Sequence, residues 1–390
     1  MAAAADDLAP TLEILERLIG FDTTSRNSNL QLIEWVEAFL AARGIGATRV
    51  SNADGTKANL YAVIGPAVEG GVVLSGHTDV VPVDDQPWTS NPWGLTERGT
   101  KFYGRGVADM KTFSALALAH VDAMLAASLR RPIILALSYD EEVGCLGAPS
   151  MIAELREGAA PPPSAVIVGE PTDMKVVSGH KGVRGMIVEV TGREAHSSQT
   201  DQGVSAVMEA LKLMNLVVEM GRQARASPDA DPLFSPPGAS MTIGRVHGGT
   251  AMNILARRCE FVWDLRWPPE ADPDLYEGRF REAAAQLDAE IKRRAPEGGV
   301  RVTRRSNNPP LKPDLASEAE ALARALTGDN ETRVAAYAAE AGLFQRAGMA
   351  AVLCGPGSIL QAHQPDEWIE RDQIAQGARF MRGLIARLSA

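Results

Sequence analysis

The sequence predicts an α/β fold: a mixed, mostly parallel sheet with helices on both faces, interrupted by an inserted ferredoxin-like α+β domain. Three observations lead there. Four short aliphatic runs, Val72–Leu74, Ile133–Leu137, Val166–Val168 and Ala351–Leu353, lack polar alternation, as strands buried on both faces do. Helical stretches separate them, which is the alternation of an α/β sheet. From about residue 181 the order becomes β-α-β-β-α-β, a compact layer on its own.

Taken in order, residues 8–43 read as helices, because Leu8, Leu12, Leu15 and Ile19, then Ile33, Val36 and Leu40, keep helical spacing. A further helix is expected over 112–128. In the inserted part, Gly185–Val190 reads as a strand, and Val204, Val207, Leu211, Met214 and Val218 as a helical stripe. Met208 and Met214 on that helix read as core filler. Ser240–Val246 and Cys259–Trp267 are two more strands, 272–294 a helix, and Val300–Arg304 the last strand. Asn307-Asn308-Pro309-Pro310 then leads back to helices and a final buried strand. The expected division is 1–180 with 307–390 as one domain and 181–306 as the insertion.

A chain of 390 residues suits two domains, and 45% hydrophobic with 23% charged residues suits packed cores. The net charge of −10 and the absence of a basic cluster argue against a nucleic-acid partner. No apolar run nears the roughly 18 residues of a membrane helix. Cys145, Cys259 and Cys354 are few, odd in number and far apart, which fits a reducing compartment. With no signal-peptide pattern at Met1–Asp7, a soluble cytoplasmic protein is expected.

The polar residues that carry chemistry follow the aliphatic runs. His77 ends the first, Asp140-Glu141-Glu142 follow the second, Glu170 the third, and Gly355 with His363 the fourth. Sites in α/β sheets form at the carboxyl ends of strands, so these residues are expected to converge. Histidines and carboxylates form the ligand set of a borderline divalent metal. Two imidazoles and three carboxylates exceed one tetrahedral site, and two ions sharing one carboxylate would use them all. Asp79, two residues from His77, can orient its imidazole from behind. Of adjacent Glu141 and Glu142, one can bind metal while the other handles protons. Gly104-x-Gly106 lacks the third glycine of a dinucleotide loop, since Asp109 stands there, and no Gly-x-Ser-x-Gly elbow occurs. His120, His180 and His247 carry no functional assignment.

Gly76-His77-Thr78-Asp79-Val80-Val81-Pro82, Gly104-Arg105-Gly106-Val107-Ala108-Asp109-Met110-Lys111, Asp140-Glu141-Glu142 and Gly169-Glu170-Pro171-Thr172 together resemble the zinc aminoacylase and succinyl-diaminopimelate desuccinylase family of metallopeptidases. The motifs stand in the family's order and span nearly the whole chain. Gly355–Ser358 and Gln361–Glu367 are most similar to its acetylornithine deacetylase branch. The resemblance implies two divalent ions, Zn2+ with Co2+ able to substitute. His77 and Glu170 would hold one, Glu142 and His363 the other, with Asp109 bridging and Glu141 as general base. It implies a cis peptide at Asp109–Met110. It also makes the inserted domain a lid and homodimerisation domain. From there His196 of a partner subunit would reach the reacting carbonyl. Asn253 and Arg266 would contact substrate, Arg266 its carboxylate. Thr112 and Ala256 depart from the common glycine and proline at their positions, and neither removes a ligand.

The implied activity is removal of the acetyl group from N2-acetyl-L-ornithine, an arginine-biosynthetic step. Glu340, in Ala338–Phe344, is expected to meet the substrate's ammonium, and backbone at Gly355 to contact the substrate. Alternatives are succinyl-diaminopimelate desuccinylation, another acyl-amino-acid or small-peptide hydrolysis, and a non-catalytic binding role.

Overall fold

The computed structural model describes residues 8–158, 160–225 and 230–390. The chain divides into two compact units: Met1–Gly179 with Leu311–Arg333 and Ala339–Ala390, and His180–Pro310 with Val334–Ala338. The second unit therefore takes a short late segment that the sequence division left with the first.

The first unit is built on a six-stranded sheet in the order Ala47–Ser51, Ala58–Ile64, Ile133–Ser138, Gly71–His77, Pro163–Pro171, Ala351–Gly355. The last four are mutually parallel, and they are the four aliphatic runs. The first two strands are antiparallel additions at one edge. Gly71–His77 and Ile133–Ser138 are buried along their whole length, so the sheet is covered on both faces. Side chains alternate between those faces. Val72 and Leu74 join Leu15, Leu116, Phe113 and Met381 in the main core. Ser75 and His77 point the other way, toward Glu340 and the short Ala341–Arg346 helix.

Residues 8–43 form helices Ala9–Ile19 and Leu30–Ala41. The stretch expected as one helix over 112–128 is two, Lys111–Ala119 and Val121–Ala126, divided at His120. The His120 Nδ1 is 2.8 Å from the Leu116 carbonyl. A three-stranded sheet of Trp368–Glu370, Lys101–Tyr103 and Thr96–Arg98 pairs Trp368 with Tyr103. That pairing sets the loop before Trp368 beside the loop after Tyr103.

The second unit has strands in the order Ser240–Gly248, Arg258–Trp267, Gly182–Thr191, Gly299–Asn308, all antiparallel. With helices Ala206–Ala224 and Pro273–Arg294 this is the ferredoxin-like β-α-β-β-α-β arrangement. Strict alternation of burial along Gly182–Thr191 shows one face packed against the helices. The core joins Val188, Phe261, Trp263, Leu213, Val217 and Phe280. The stripe read from the sequence is out of phase. Ser205 caps the helix by accepting from the Met208 N–H, and the buried side is Ala206, Ala210, Leu213, Val217 and Met220. Met208, Leu211 and Val218 are exposed, so Met208 is not core filler. Among the described residues no helix is long and apolar enough to cross a membrane.

Candidate metal centre

His77 ends its strand with 1% exposure. Its Nδ1 is 2.8 Å from the Asp79 backbone carbonyl, and a carbonyl only accepts, so Nδ1 carries hydrogen. That directs Nε2 to the site, where it lies 3.0 Å from Asp109 Oδ1. The other oxygen of Asp109 is 3.2 Å from His363 Nε2, which is also 3.0 Å from Glu142 Oε2. One buried carboxylate thus faces two imidazoles, one with each oxygen. The peptide between Asp109 and Met110 is cis.

His77, Glu141 and Glu170 each offer a ligand atom lying within 4.8 Å of one another, and so do His77, Asp109 and Glu142. Glu170, at the end of Pro163–Pro171, is 4% exposed, and its Oε1 is buried without a hydrogen-bond partner. Glu141 and Glu142 do diverge into different clusters. They do so from a turn that follows Asp140 at φ 56°.

The charges are unbalanced. Burial pushes the carboxyls of Glu141 and Glu170 well above their ordinary range. Burial and the neighbouring Asp109 raise Glu142 to about 7. Burial also pushes Asp109 up, but hydrogen bonds from His363 and His77 outweigh it and hold that carboxyl low. Hydrogen bonds to Asp109 and Glu142 raise half-exposed His363 to about 10. Four carboxylates crowded around two imidazoles, with one carboxylate oxygen orphaned, fit divalent cations. The donor set is that of a borderline ion such as Zn2+ or Co2+.

Asp79 is placed differently from the expectation. Its carboxylate stays 3.7 Å from His77 Nδ1. It accepts instead from the backbone N–H of Glu141 at 3.0 Å, the N–H of Glu142 at 3.2 Å and the Ser25 hydroxyl at 2.7 Å. Asp79 therefore orients the imidazole through its backbone and the two glutamates through its side chain. Ser25 and Cys145, whose thiol donates to Glu141 Oε1 at 3.2 Å, escaped the sequence reading. Neither sits in a chemical motif, although Cys145 is four residues past Glu141.

Two expected substrate contacts are corrected. Glu340 is 1% exposed, and its oxygens accept from the hydroxyls of Ser75, at 3.2 Å, and Ser138. It is a buried acid beneath the sheet end, not a receptor for a substrate ammonium. Gly355 is needed for packing, since a Cβ there would stand 2.1 Å from the Gly169 carbonyl oxygen. Its N–H already donates to Thr172 Oγ1 at 3.2 Å, and its carbonyl accepts from the N–H of Met174 at 2.8 Å.

The second unit brings His196 and Asn253 together. His196 bridges Ile254, and the Ser197 N–H donates to the Asn253 carbonyl at 2.9 Å. The Ser198 N–H donates to His196 Nδ1 at 3.2 Å, so the neutral ring carries its hydrogen on Nε2. Arg266 donates to Asp264 Oδ2 at 3.0 Å.

Residues 73–387 match the family model described as peptidase family M20/M25/M40. The chain is 34% identical to acetylornithine deacetylase of Erwinia tasmaniensis over 372 residues, covering 91% of this chain and 92% of that protein. It is 33% identical to acetylornithine deacetylase of Myxococcus xanthus, covering 95% and 96%. In fold it is similar to an M20 family metallo-carboxypeptidase from Sulfolobus solfataricus, with TM-score 0.78, 17% identity and coverage of 99% and 100%. It is also similar to human carnosine dipeptidase 1, with TM-score 0.76, 16% identity and coverage of 97% and 96%.

Proposed function

The chain belongs to peptidase family M20/M25/M40 and is a metal-dependent amidohydrolase, and from that premise we propose that it removes the acetyl group from N2-acetyl-L-ornithine, giving ornithine and acetate. The observation that carries the substrate is the full-length similarity to acetylornithine deacetylases. Glu340, being buried, does not argue separately for an ammonium.

In this reading His77 and Glu170 would hold one ion and Glu142 and His363 the other, with Asp109 shared by both. When bound, two divalent ions supply an acidified water and polarise the scissile carbonyl. Glu141 is the general base. Burial raises its carboxyl above the ordinary range, and as base it would take a proton from water and then pass it to the leaving amine. Asp79 fixes the backbone of Glu141, and the Cys145 thiol anchors one of its oxygens. His196 of a partner subunit would present its Nε2–H to the developing oxyanion. Asn253 and Arg266 bind the substrate, Arg266 through its carboxylate.

The second unit serves as lid and homodimer surface. Exposed Met208, Leu211 and Val218 on one helix, and the edge strand Ser240–Gly248, support that role. A cytoplasmic place in arginine biosynthesis belongs to the same proposal, supported by three buried cysteines that form no disulfide. A panel of acylated amino acids and dipeptides tests the substrate. The highest kcat/KM is expected for acetylornithine, and faster cleavage of succinyl-diaminopimelate or a dipeptide would overturn the choice.

A further inference from the structure

We propose that Glu367 and Arg105 are positioning residues for metal binding, their buried ion pair locking the Asp109 loop to the His363 loop. The proposal rests on the reading that Asp109, Glu142 and His363 hold one of two ions.

Both side chains are 1% exposed, and Arg105 Nη1 lies 2.7 Å from Glu367 Oε2. Glu367 accepts three backbone N–H groups from the loop that carries Asp109. Oε1 takes those of Ala108, at 2.8 Å, and Asp109 itself, at 3.1 Å. Oε2 takes that of Gly106 at 3.1 Å. The Glu367 carbonyl also accepts from the Gly104 N–H at 3.1 Å.

Arg105 reaches the other way. Nη1 donates to the Gln364 carbonyl at 3.4 Å, and Nη2 to Gln86 Oε1 at 2.5 Å. Gln86 in turn donates from Nε2 to the His363 carbonyl at 3.0 Å. His363 stands at φ 64°, a left-handed conformation that its own side chain disfavours, so outside contacts must hold it.

A buried ion pair contributes little net stability compared with apolar packing, because desolvation offsets its attraction. This pair touches loops at 82–86, 104–109 and 363–364, two of which carry ligands. Its effect is therefore geometric: it holds Asp109 Oδ2 3.2 Å from His363 Nε2, which itself lies 3.0 Å from Glu142 Oε2. His77 and Glu170 end parallel strands and need no such clamp. Loss of the pair should weaken the ion held by Glu142 and His363 more than the ion held by His77 and Glu170.

The test is titration of Co2+ into metal-free protein, followed by visible absorption with a competing chelator, for wild type, Glu367→Gln and Gln86→Ala. Glu367→Gln should weaken the ion held by Glu142 and His363 by about 10- to 100-fold, and the ion held by His77 and Glu170, which shares only Asp109 with the clamped loops, by clearly less. Gln86→Ala, at a half-buried position, removes the contact to the His363 carbonyl together with those that Gln86 Oε1 accepts from Arg105 Nη2 and Trp88 Nε1, and leaves the Arg105–Glu367 pair itself in place. It should shift the ion held by Glu142 and His363 in the same direction by less, with unchanged thermal unfolding of the metal-free protein, and it decides the matter if Glu367→Gln does not fold. Equal weakening of both ions, or lower thermal stability with no selective loss, overturns the proposal. If wild type binds fewer than two ions, the underlying reading fails and the proposal with it. If wild type binds two and the variants match it, the proposal alone fails.

Discussion

The Asp79 carboxylate accepts the backbone N–H of Glu141 at 3.0 Å, which ties the end of one parallel strand to the glutamate that follows the next. Asp79→Asn replaces one accepting oxygen with a donor that faces N–H or hydroxyl groups. The expected result is a fall in kcat of about 10- to 100-fold with little change in KM. A stability loss of about 1–3 kcal/mol should accompany it, from the donors left unpaired. Steady-state kinetics and denaturant unfolding measure both, and an unchanged kcat would show that Glu141 needs no such anchor.

Glu141→Gln should keep both ions, because the proposed ligands, His77, Glu170, Asp109, Glu142 and His363, do not include it and Gln is of the same size. Turnover should fall by about 10²- to 10⁴-fold with the general base removed. Metal analysis beside kinetics checks this. A fully active variant would assign the proton transfer elsewhere.

Glu340→Gln tests the correction made at that position. Acetylornithine and an acetylated amino acid without a side-chain ammonium should lose kcat/KM together. A direct contact to the ammonium would instead penalise acetylornithine alone by at least about tenfold. Selective loss would restore the expectation drawn from the sequence.

Acid stability should depend on Asp329. Burial pushes its carboxyl up, but hydrogen bonds from Arg333 and the Val176 N–H outweigh that and set it at about 2. A carboxyl lowered from 3.8 contributes stability above that pH and loses it as pH falls toward about 2. Asp329→Asn should remove roughly 1 kcal/mol at neutral pH, since the pair is partly screened by solvent, and nothing below pH 2. Unfolding measured across pH checks it, and a pH-independent difference would mean that the charge does not matter.

The sheet was legible because Val72–Leu74, Ile133–Leu137, Val166–Val168 and Ala351–Leu353 are aliphatic runs, and only strands covered on both faces use such runs at that length. His77 and Glu170 were legible for a related reason: parallel strands end at one edge, and each residue stands at such an end. Partners fixed by loops were not. Ser25 and Asp79 meet across 54 residues, and Arg105 and Glu367 across 262, through turns that leave no periodic signal. Glu340 looked available because the one acid in Ala338–Phe344 suits an ammonium, while its side chain is engaged by Ser75 and Ser138, hundreds of positions away. The helix stripe at Val207–Val218 was misread because apolar residues stand on more than one side of the helix, and packing against the sheet buries the side of Ala206, Ala210, Leu213, Val217 and Met220.

Anomalous diffraction at the zinc edge, on crystals grown with Zn2+, tests the dinuclear site most directly. The account predicts two peaks about 3.5–4 Å apart, one beside His77 and Glu170, one beside Glu142 and His363, with Asp109 between them. A single peak, or two peaks that do not share Asp109, would contradict it.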